Sequence, residues 1–433
     1  MNKFVASACA VAAGATSASA VNSFDLSQAE TAKPWSVEVA TRALYDSNPY
    51  NKPDADTSAK DSFGVWVIPK MGVNFVRDQI FLGARYTYDA RYYERFSKTD
   101  QSHEAEGILD YKPNERLEVT ARDSFAYSDQ PAILQGSGAQ SGYRSDQSGF
   151  RNRAELSLKA AATRDLVVGA GFYGTAYDYD EAGHPGSYSA LLDRTENLFT
   201  VNVTKRLLPG LSIGPGYQFG LVNYSGNDYL YSTNSTTTAW GGIPKSDSRN
   251  NYTHYAYLEV DYALSSQLNL SARGGAMYTH YDSYSNQDGW NPYGSISLRY
   301  TYMRDCSAEL GFIHTISATD IATAGTVPGS IPTLSQETSS IYLNVEHRLS
   351  HHIWANLWTQ AQAGHFTGGA YDSQNENYIW VAPTLEYRCD AHVFGLLMHL
   401  TPQVGYAFQT LASDAPNRDF SRQTVYIGLK ATY

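Results

Sequence analysis

The chain has 433 residues, a formal net charge of −11 and a mean hydropathy of −0.40. Beyond residue 20 it has no run of about 18 or more apolar residues, which excludes a bundle of transmembrane helices. The acidic balance has no long run of either sign and argues against nucleic acid as a partner.

The first residues have the features of a cleaved export signal. Lys3 gives a short basic start, an Ala-rich apolar stretch follows from Phe4, and Ala18-Ser19-Ala20 fits a signal-peptidase site. We therefore predict a signal peptide over residues 1–20 and a short periplasmic segment over residues 21–34.

From Trp35 onward, apolar and polar residues alternate in runs of roughly ten residues, as expected of strands with one face on lipid and the other on a wet interior. In one run, Leu117 and Val119 alternate with Glu118 and Arg122. About eighteen such strands can be counted up to the chain end. The 34 Tyr and 7 Trp residues suit the aromatic girdles of such a barrel.

The last strand carries Val425, Ile427, Leu429 and Tyr433 on one face and ends on that aromatic residue. Such an ending is typical of β-barrels in the outer membrane of Gram-negative-type bacteria. We expect this strand to be recognised by the barrel assembly machinery and the barrel to be surrounded by outer-membrane lipid.

Short and long connections alternate along the chain, which favours an up-and-down barrel with short periplasmic turns and long extracellular loops. The predicted short turns are 76–78, 112–115, 163–165, 208–210, 265–266, 304–306, 350–351 and Cys389-Asp390. The predicted long loops are 47–61, 94–101, 130–148, 179–193, 223–250, 281–291, 317–337, 366–374 and 409–420.

An even strand count makes the first and last strands antiparallel, so that they can pair and close the sheet. The prediction is a single all-β domain over residues 35–433, a transmembrane antiparallel barrel. A soluble solenoid or propeller is the alternative, but no repeat of fixed length is present and neither explains the short-long alternation.

Several residues depart from the pattern. Four prolines lie inside predicted strands, and because proline has no N–H to donate to the ladder, the register is least certain next to them. Asp123 lies on an apolar face and is expected to mark a bulge or the rim. Cys306 and Cys389 are predicted in separate short turns, which favours two unpaired thiols over a bridge. The prolines are Pro69, Pro215, Pro383 and Pro402.

The inward face is predicted to line a pore. Two interpretations of its charges stay open: a transverse field, with basic residues facing acidic ones on distant strands, or a ladder of salt bridges that stiffens the wall. The candidate pore-lining residues are Glu118, Arg122, Arg151, Arg153, Lys159, Glu259, Asp261, Arg273, Trp358 and Trp380.

Aromatic residues on that face also have two interpretations. Trp358 and Trp380 could stack on passing sugar rings, but girdle or wall-filling roles are favoured because interfacial aromatic residues are common in barrels. The third long loop begins with the apolar Pro131-Ala-Ile-Leu134 and could fold inward to narrow a channel, or pack outside or over the mouth.

No catalytic or cofactor motif is present, so neither enzymatic activity nor a cofactor is predicted. The adjacent His351-His352 would point to opposite faces of a strand, and a polar turn is favoured over a metal site.

Three segments carry a resemblance to a known family. Tyr45-Asp-Ser-Asn48, Arg85-Tyr-Thr-Tyr-Asp-Ala-Arg-Tyr-Tyr93 and Arg122-Asp-Ser-Phe-Ala-Tyr-Ser-Asp-Gln130 resemble the beta-barrel porin 2 type of outer-membrane protein. The resemblance covers the first third of the chain and implies an outer-membrane barrel, some relatives of which are associated with exopolysaccharide production and export. It carries no functional residues.

The predicted function is a porin-like channel for passive diffusion of small hydrophilic solutes. The alternative is a barrel component of exopolysaccharide export or surface binding, with a plugged or gated pore. Lumen aromatics in a stacked array would favour the alternative, and a bare polar constriction would favour the porin. Solute, selectivity and homo-oligomer formation stay open.

Overall fold

The protein is described by a computed structural model covering residues 34–129, 148–231, 244–321, 331–393 and 396–433, without the side chains of 392–397. The predicted signal peptide therefore lies outside the described residues, as does most of the 130–148 loop. No helix in these ranges has the length and apolar character needed to cross a bilayer.

Eighteen antiparallel strands follow one another around the sheet, which confirms the predicted all-β class and strand number. The strands are β1 Trp35–Asp46, β2 Ser62–Arg77, β3 Ile80–Tyr93, β4 Lys98–Asn114, β5 Leu117–Ser128, β6 Gly149–Ala161, β7 Leu166–Tyr179, β8 Arg194–Leu208, β9 Leu211–Tyr224, β10 Asn251–Ala263, β11 Leu268–Tyr281, β12 Gly289–Met303, β13 Cys306–Ser317, β14 Ser335–Arg348, β15 Ile353–Thr367, β16 Asn375–Tyr387 continued by Cys389–Val393, β17 Leu396–Ser413 and β18 Phe420–Thr432.

The barrel closes between its first and last strands. β1 pairs with β18 over nine residue pairs, from Glu38 opposite Thr432 to Asp46 opposite Thr424. On its other side β1 pairs with β2. Among the described strands, closure therefore leaves no edge strand, the condition that a bilayer imposes on a β protein.

One predicted turn is wrong. Cys389 pairs with Leu400 and Asp390 with His399, in the same register that pairs Glu386 with Gln403. β16 therefore continues past a single-residue interruption at residue 388, and its last described pair with β17 is Val393 opposite Leu396. The polar Cys-Asp dipeptide has turn-forming composition, but its ladder pairing decides its conformation.

The two faces of the wall differ as the alternation predicts. On β1, Val37 and Val39 are about 40% exposed, whereas Ala40 and Leu44 on the opposite face are buried. Large apolar residues on the outer face continue around the sheet, for example Ile427 on β18. Because exposing so continuous an apolar surface to water is unfavourable, we assign this outer face to lipid.

The prolines leave the register intact. The β2–β3 ladder omits Ile68 and Pro69, but Val67 opposite Ala90 and Lys70 opposite Thr87 belong to one register. The same holds for the gaps beside Pro215 and Pro383. Each proline thus loses a donor without shifting the strand, so the predicted uncertainty of register is not realised there.

Three tyrosines lie over glycines on the neighbouring strand. A Cβ atom added to Gly311 would fall inside the ring of Tyr342, its ladder partner. The same relation holds for Gly216 with Tyr257 and for Gly405 with Tyr426. These rings therefore lie flat along the inner wall and cover backbone that the glycines leave bare.

Asp123 and the two cysteines, the other irregular positions of the sequence, leave the strands undisturbed. Asp123 lies on the outer face in unbroken register and accepts a hydrogen bond from Asn152 Nδ2 at 3.2 Å, so it marks no bulge. Cys306 and Cys389 are both free thiols, as favoured.

The barrel interior and its mouth as the candidate functional site

The predicted basic residues of β5 and β6 lie on the inner face beside acidic partners. Arg122 Nε is 3.4 Å from Glu106 Oε1, and Arg122 is the ladder partner of Ile108 and of Glu155. On β6, Arg153 is 2.6 Å from Glu155. The positive charges of this wall are thus largely compensated by neighbours.

The remaining charged candidates show the same local pairing. Arg273 NH2 is 2.6 Å from Glu259 Oε2, and Asp261 accepts a hydrogen bond from Ser271 at 2.7 Å. At the short-turn end, Glu118 contacts Lys112 at 3.4 Å, and Lys159 is the ladder partner of Glu118. These contacts agree with the salt-bridge ladder rather than with a field between distant strands. Arg151 lies opposite Ala126 and Tyr177, also on the inner face.

The two tryptophan candidates also face inward, on β15 and β16. The Trp358 ring stacks on Tyr342 with centroids 5.4 Å apart and meets Trp380 edge-on at 6.2 Å. Trp358 is only 5% exposed, so its faces are covered by wall residues. The arrangement corresponds to wall filling, and the girdle interpretation is wrong for this pair because the register turns both rings inward.

The inner wall is uneven in charge. Strand order in a closed barrel of eighteen strands places β14 and β15 nine strands from β5 and β6, hence across the interior. The β14–β15 wall presents Ser340, Gln360 and Gln362, which hydrogen-bond to one another. At this level a solute would have ion pairs on one side and neutral polar and aromatic groups on the other. Nearer the short turns this wall is also charged, because Arg388 contacts Glu386 at 2.8 Å.

A loop folds inward at the long-loop end, here called the mouth. The loop of residues 180–193 (the α1 loop) contains a short helix, α1, over Tyr188–Leu192. Tyr188 and Leu192 are buried in one cluster with Ala126 and Tyr177, which lie on the inner face of β5 and β7. The α1 loop therefore packs against the inside of the barrel.

Two further loops meet the α1 loop. Ser246 donates to Ala190 O at 2.5 Å, and Arg249 donates to Leu191 O and to Thr319 O, both at 2.9 Å. Thr319 lies in the loop between β13 and β14. The mouth is thus crossed by contacts that join strands on distant parts of the circumference.

The loop between β17 and β18 also contacts the loop between β13 and β14. Arg418, between β17 and β18, bonds to Asp320 at 2.9 Å and to Glu376 at 2.8 Å. Ile321 packs with Ala415 against Phe366 of β15, which is fully buried. Residues 319–321 (the 319–321 segment) therefore receive contacts from both sides of the mouth.

The loop between β1 and β2 contacts the start of β18 and the loop before it. Asn48 Nδ2 donates to Ser421 O at 3.2 Å, and the Asp54 amide donates to Asp419 O at 2.7 Å. Below this contact, Arg422 of β18 binds Asp46 of β1 at 2.7 Å. The closing seam of the barrel is thereby fixed at its mouth end.

One titratable group in the α1 loop is strongly perturbed. Burial raises the pKa of the Asp193 carboxyl from 3.8 to about 6, although hydrogen bonds from Ser189 Oγ and the Tyr179 amide act in the opposite direction. Asp193 lines a cavity of about 480 Å³ between the α1 loop and the wall. Its charge state therefore bears on how well this loop packs.

The sequence indicated a different inward loop. The predicted one, beginning at Pro131, lies outside the described residues. The α1 loop was predicted only as the long loop 179–193, and its inward fold was missed, although Ala190-Leu-Leu192 is the same kind of apolar run within a polar loop. Arg249 and Arg418 were also missed, because their partners are backbone carbonyls or residues far away in sequence.

The adjacent histidines lie in a polar turn and contact arginines of neighbouring strands. His352 Nδ1 lies 2.9 Å from Arg388 O and His351 Nδ1 lies 3.2 Å from Arg348 NH2, at the short-turn end. Within the part of the chain that the structure describes, no group of three or more potential ligands is arranged to hold a metal ion.

Three solved structures are similar to this chain over most of its length, and one of them is described as an outer-membrane protein. Protein opdK from Pseudomonas aeruginosa is 11% identical with a TM-score of 0.43, covering 92% of this chain and 99% of that one. OpdQ from the same organism is 9% identical with a TM-score of 0.46, covering 94% and 100%. OccAB3 from Acinetobacter baumannii is 10% identical with a TM-score of 0.43, covering 92% and 99%.

Similarities this low carry no argument about function. No family model matches the sequence, and no curated protein matches it.

Proposed function

We propose that this chain is a porin-like channel of the outer membrane, through which small hydrophilic solutes diffuse passively. The observation that carries the proposal is the closed barrel of eighteen strands with an apolar exterior and an interior lined by ions, amides and hydroxyls. A barrel of this strand number is wide enough to enclose an aqueous path, which a polar lining keeps wet.

The proposal includes a mechanism of selection. Solutes are selected by size at the mouth, where the α1 loop and the 319–321 segment narrow the entrance. They are selected weakly by charge in the interior, because Arg122, Arg153 and Arg273 each have a carboxylate within 3.4 Å. No step requires a cofactor or a source of energy.

Exopolysaccharide export has less support. Such a role would be favoured by aromatic faces open to the lumen, but Trp358 is covered by Tyr342 and its other neighbours. We also retain the expectations that lipid surrounds the barrel and that β18 is recognised by the assembly machinery. Catalysis is not part of the proposal.

Single-channel conductance in a planar bilayer tests the proposal. Protein lacking the predicted signal peptide is refolded in detergent, checked for strand content by circular dichroism, and added on one side. Stable steps in the nanosiemens range, with a reversal potential across a salt gradient, are expected. A folded barrel that gives no current would refute the open channel and favour a plugged export or binding component.

A further inference from the structure

Arg249 occupies an unusual position for a cation. It ends a single 3-10 turn, Ser246–Arg249, and is fully buried. Its two terminal nitrogens donate to Leu191 O and Thr319 O, and the guanidinium lies 4.4 Å from the centroid of the Tyr224 ring. No carboxylate among the described residues forms an ion pair with it.

A buried charge without a counter-ion is costly, so its contacts must provide compensation. The compensation here comes from two backbone carbonyls and an aromatic face. The carbonyls belong to loops 58 and 70 residues away in sequence. The planar, forked guanidinium can reach two acceptors in different directions at once, whereas an ammonium is a single point charge.

The neighbouring contacts make this junction tight. Ser246 Oγ donates to Ala190 O at 2.5 Å, one residue before the carbonyl that Arg249 binds. A Cβ atom on Gly226 would collide with the Ser189 carbonyl oxygen. The loop after β9 therefore lies directly against the α1 loop, with no room for a solute between them.

On its other side the junction meets a second fixed point. The residue after Thr319 is Asp320, which binds Arg418 at 2.9 Å, and Arg418 also binds Glu376 at 2.8 Å. Arg418 is held by carboxylates, whereas Arg249 is held by two backbone carbonyls and the Tyr224 ring. The 319–321 segment is thus held by an ion pair between Asp320 and Arg418 and by the hydrogen bond from Arg249 to Thr319 O.

We propose that Arg249 determines the exclusion limit of the channel, by holding the α1 loop and the 319–321 segment together across the mouth. The inference rests on the proposed function and adds a residue that sets solute size. Without the guanidinium, two loops lose their common partner, and the backbone carbonyls of Leu191 and Thr319 lose the hydrogen bonds that it donates. The loops then separate and larger solutes enter.

Liposome swelling with mono-, di-, tri- and tetrasaccharides measures the limit. Arg249→Ala is compared with wild type and with Arg304→Ala, whose side chain is 93% exposed in a short turn at the other end. The expected result is that Arg249→Ala raises the trisaccharide rate relative to the monosaccharide rate by roughly threefold or more, while Arg304→Ala leaves the ratio unchanged.

A second variant covers the case in which Arg249→Ala does not fold. Arg249→Lys keeps the charge but loses the fork, and an intermediate rise in the ratio is expected. If the wild type conducts and every folded Arg249 variant keeps its size ratio, the inference is wrong and the proposed channel stands. If wild type and variants all fail to admit monosaccharide, the proposed function itself fails.

Discussion

Arg422→Ala is expected to weaken the closing seam of the barrel severely. Asp46 on β1 has a side chain only 1% exposed, and Arg422 on β18 contacts both of its carboxylate oxygens at 2.7–3.1 Å. Without Arg422, hydrogen bonds from Thr424 Oγ1 and the Asn48 amide are the contacts left to a buried anion. Breaking a buried pair in this way costs about 3–5 kcal/mol.

The measurement is reversible urea unfolding of the refolded barrel in lipid vesicles, followed by tryptophan fluorescence. Arg304→Ala is the matched control, because its nearest carboxylate is 3.9 Å away at an exposed site. It should change the free energy of unfolding by less than about 0.5 kcal/mol. In a double-mutant cycle, Asp46→Asn should recover part of the loss, because it removes the unpaired charge.

A loss below about 1 kcal/mol for Arg422→Ala would refute the reasoning, since that is the value of an exposed pair. It would mean that water reaches Asp46 in the folded barrel and that the seam is held by the β1–β18 ladder alone.

Three further predictions concern the interior and the mouth. Because the pKa of Asp193 is raised to about 6, the folded α1 loop binds a proton that the opened loop does not, and its packing should weaken as pH rises from about 4 to 6. Hydrogen exchange of the loop amides measures this dependence, which Asp193→Asn should abolish. Gly311→Val should push the Tyr342 ring off the wall and lower conductance, whereas Gly274→Ala, which meets open space, should not; equal conductance would contradict the packing. Arg122→Ala should leave Glu106 with Arg85, its ladder partner on β3, as its basic neighbour and shift the reversal potential toward cation preference, because one positive charge is lost. An unchanged potential would exclude Arg122 from the conducting path.

The architecture was predictable because it depends on a repeated local signal. The alternation of apolar and polar residues decides which face of each strand meets lipid, and the alternation of short turns with long loops decides the topology. The predicted loop 47–61 matches the structure to the residue, because β1 ends at Asp46 and β2 begins at Ser62. The error at Cys389-Asp390 arose where two polar residues resemble a turn but continue a strand. Such a case is decided by the partner strand, which local composition does not report.

The mouth was not predictable for a different reason. Arg249 binds carbonyl oxygens, which every residue has, so no side-chain pattern marks Leu191 or Thr319 as its partners. The inward orientation of Trp358 and Trp380 follows from the register, and a slip of one residue would have reversed it. The burial of Trp358 depends on Tyr342, a residue on another strand.

The tyrosines that lie over glycines have a consequence for the family history of this chain. Each ring occupies the volume of the side chain that its glycine partner lacks, so the two positions together accommodate one aromatic residue. A larger residue at the glycine collides with the ring, and a smaller residue at the tyrosine uncovers backbone. Relatives of this barrel should therefore exchange residues at 216 and 257, 311 and 342, or 405 and 426 as pairs, even where the surrounding sequence has diverged.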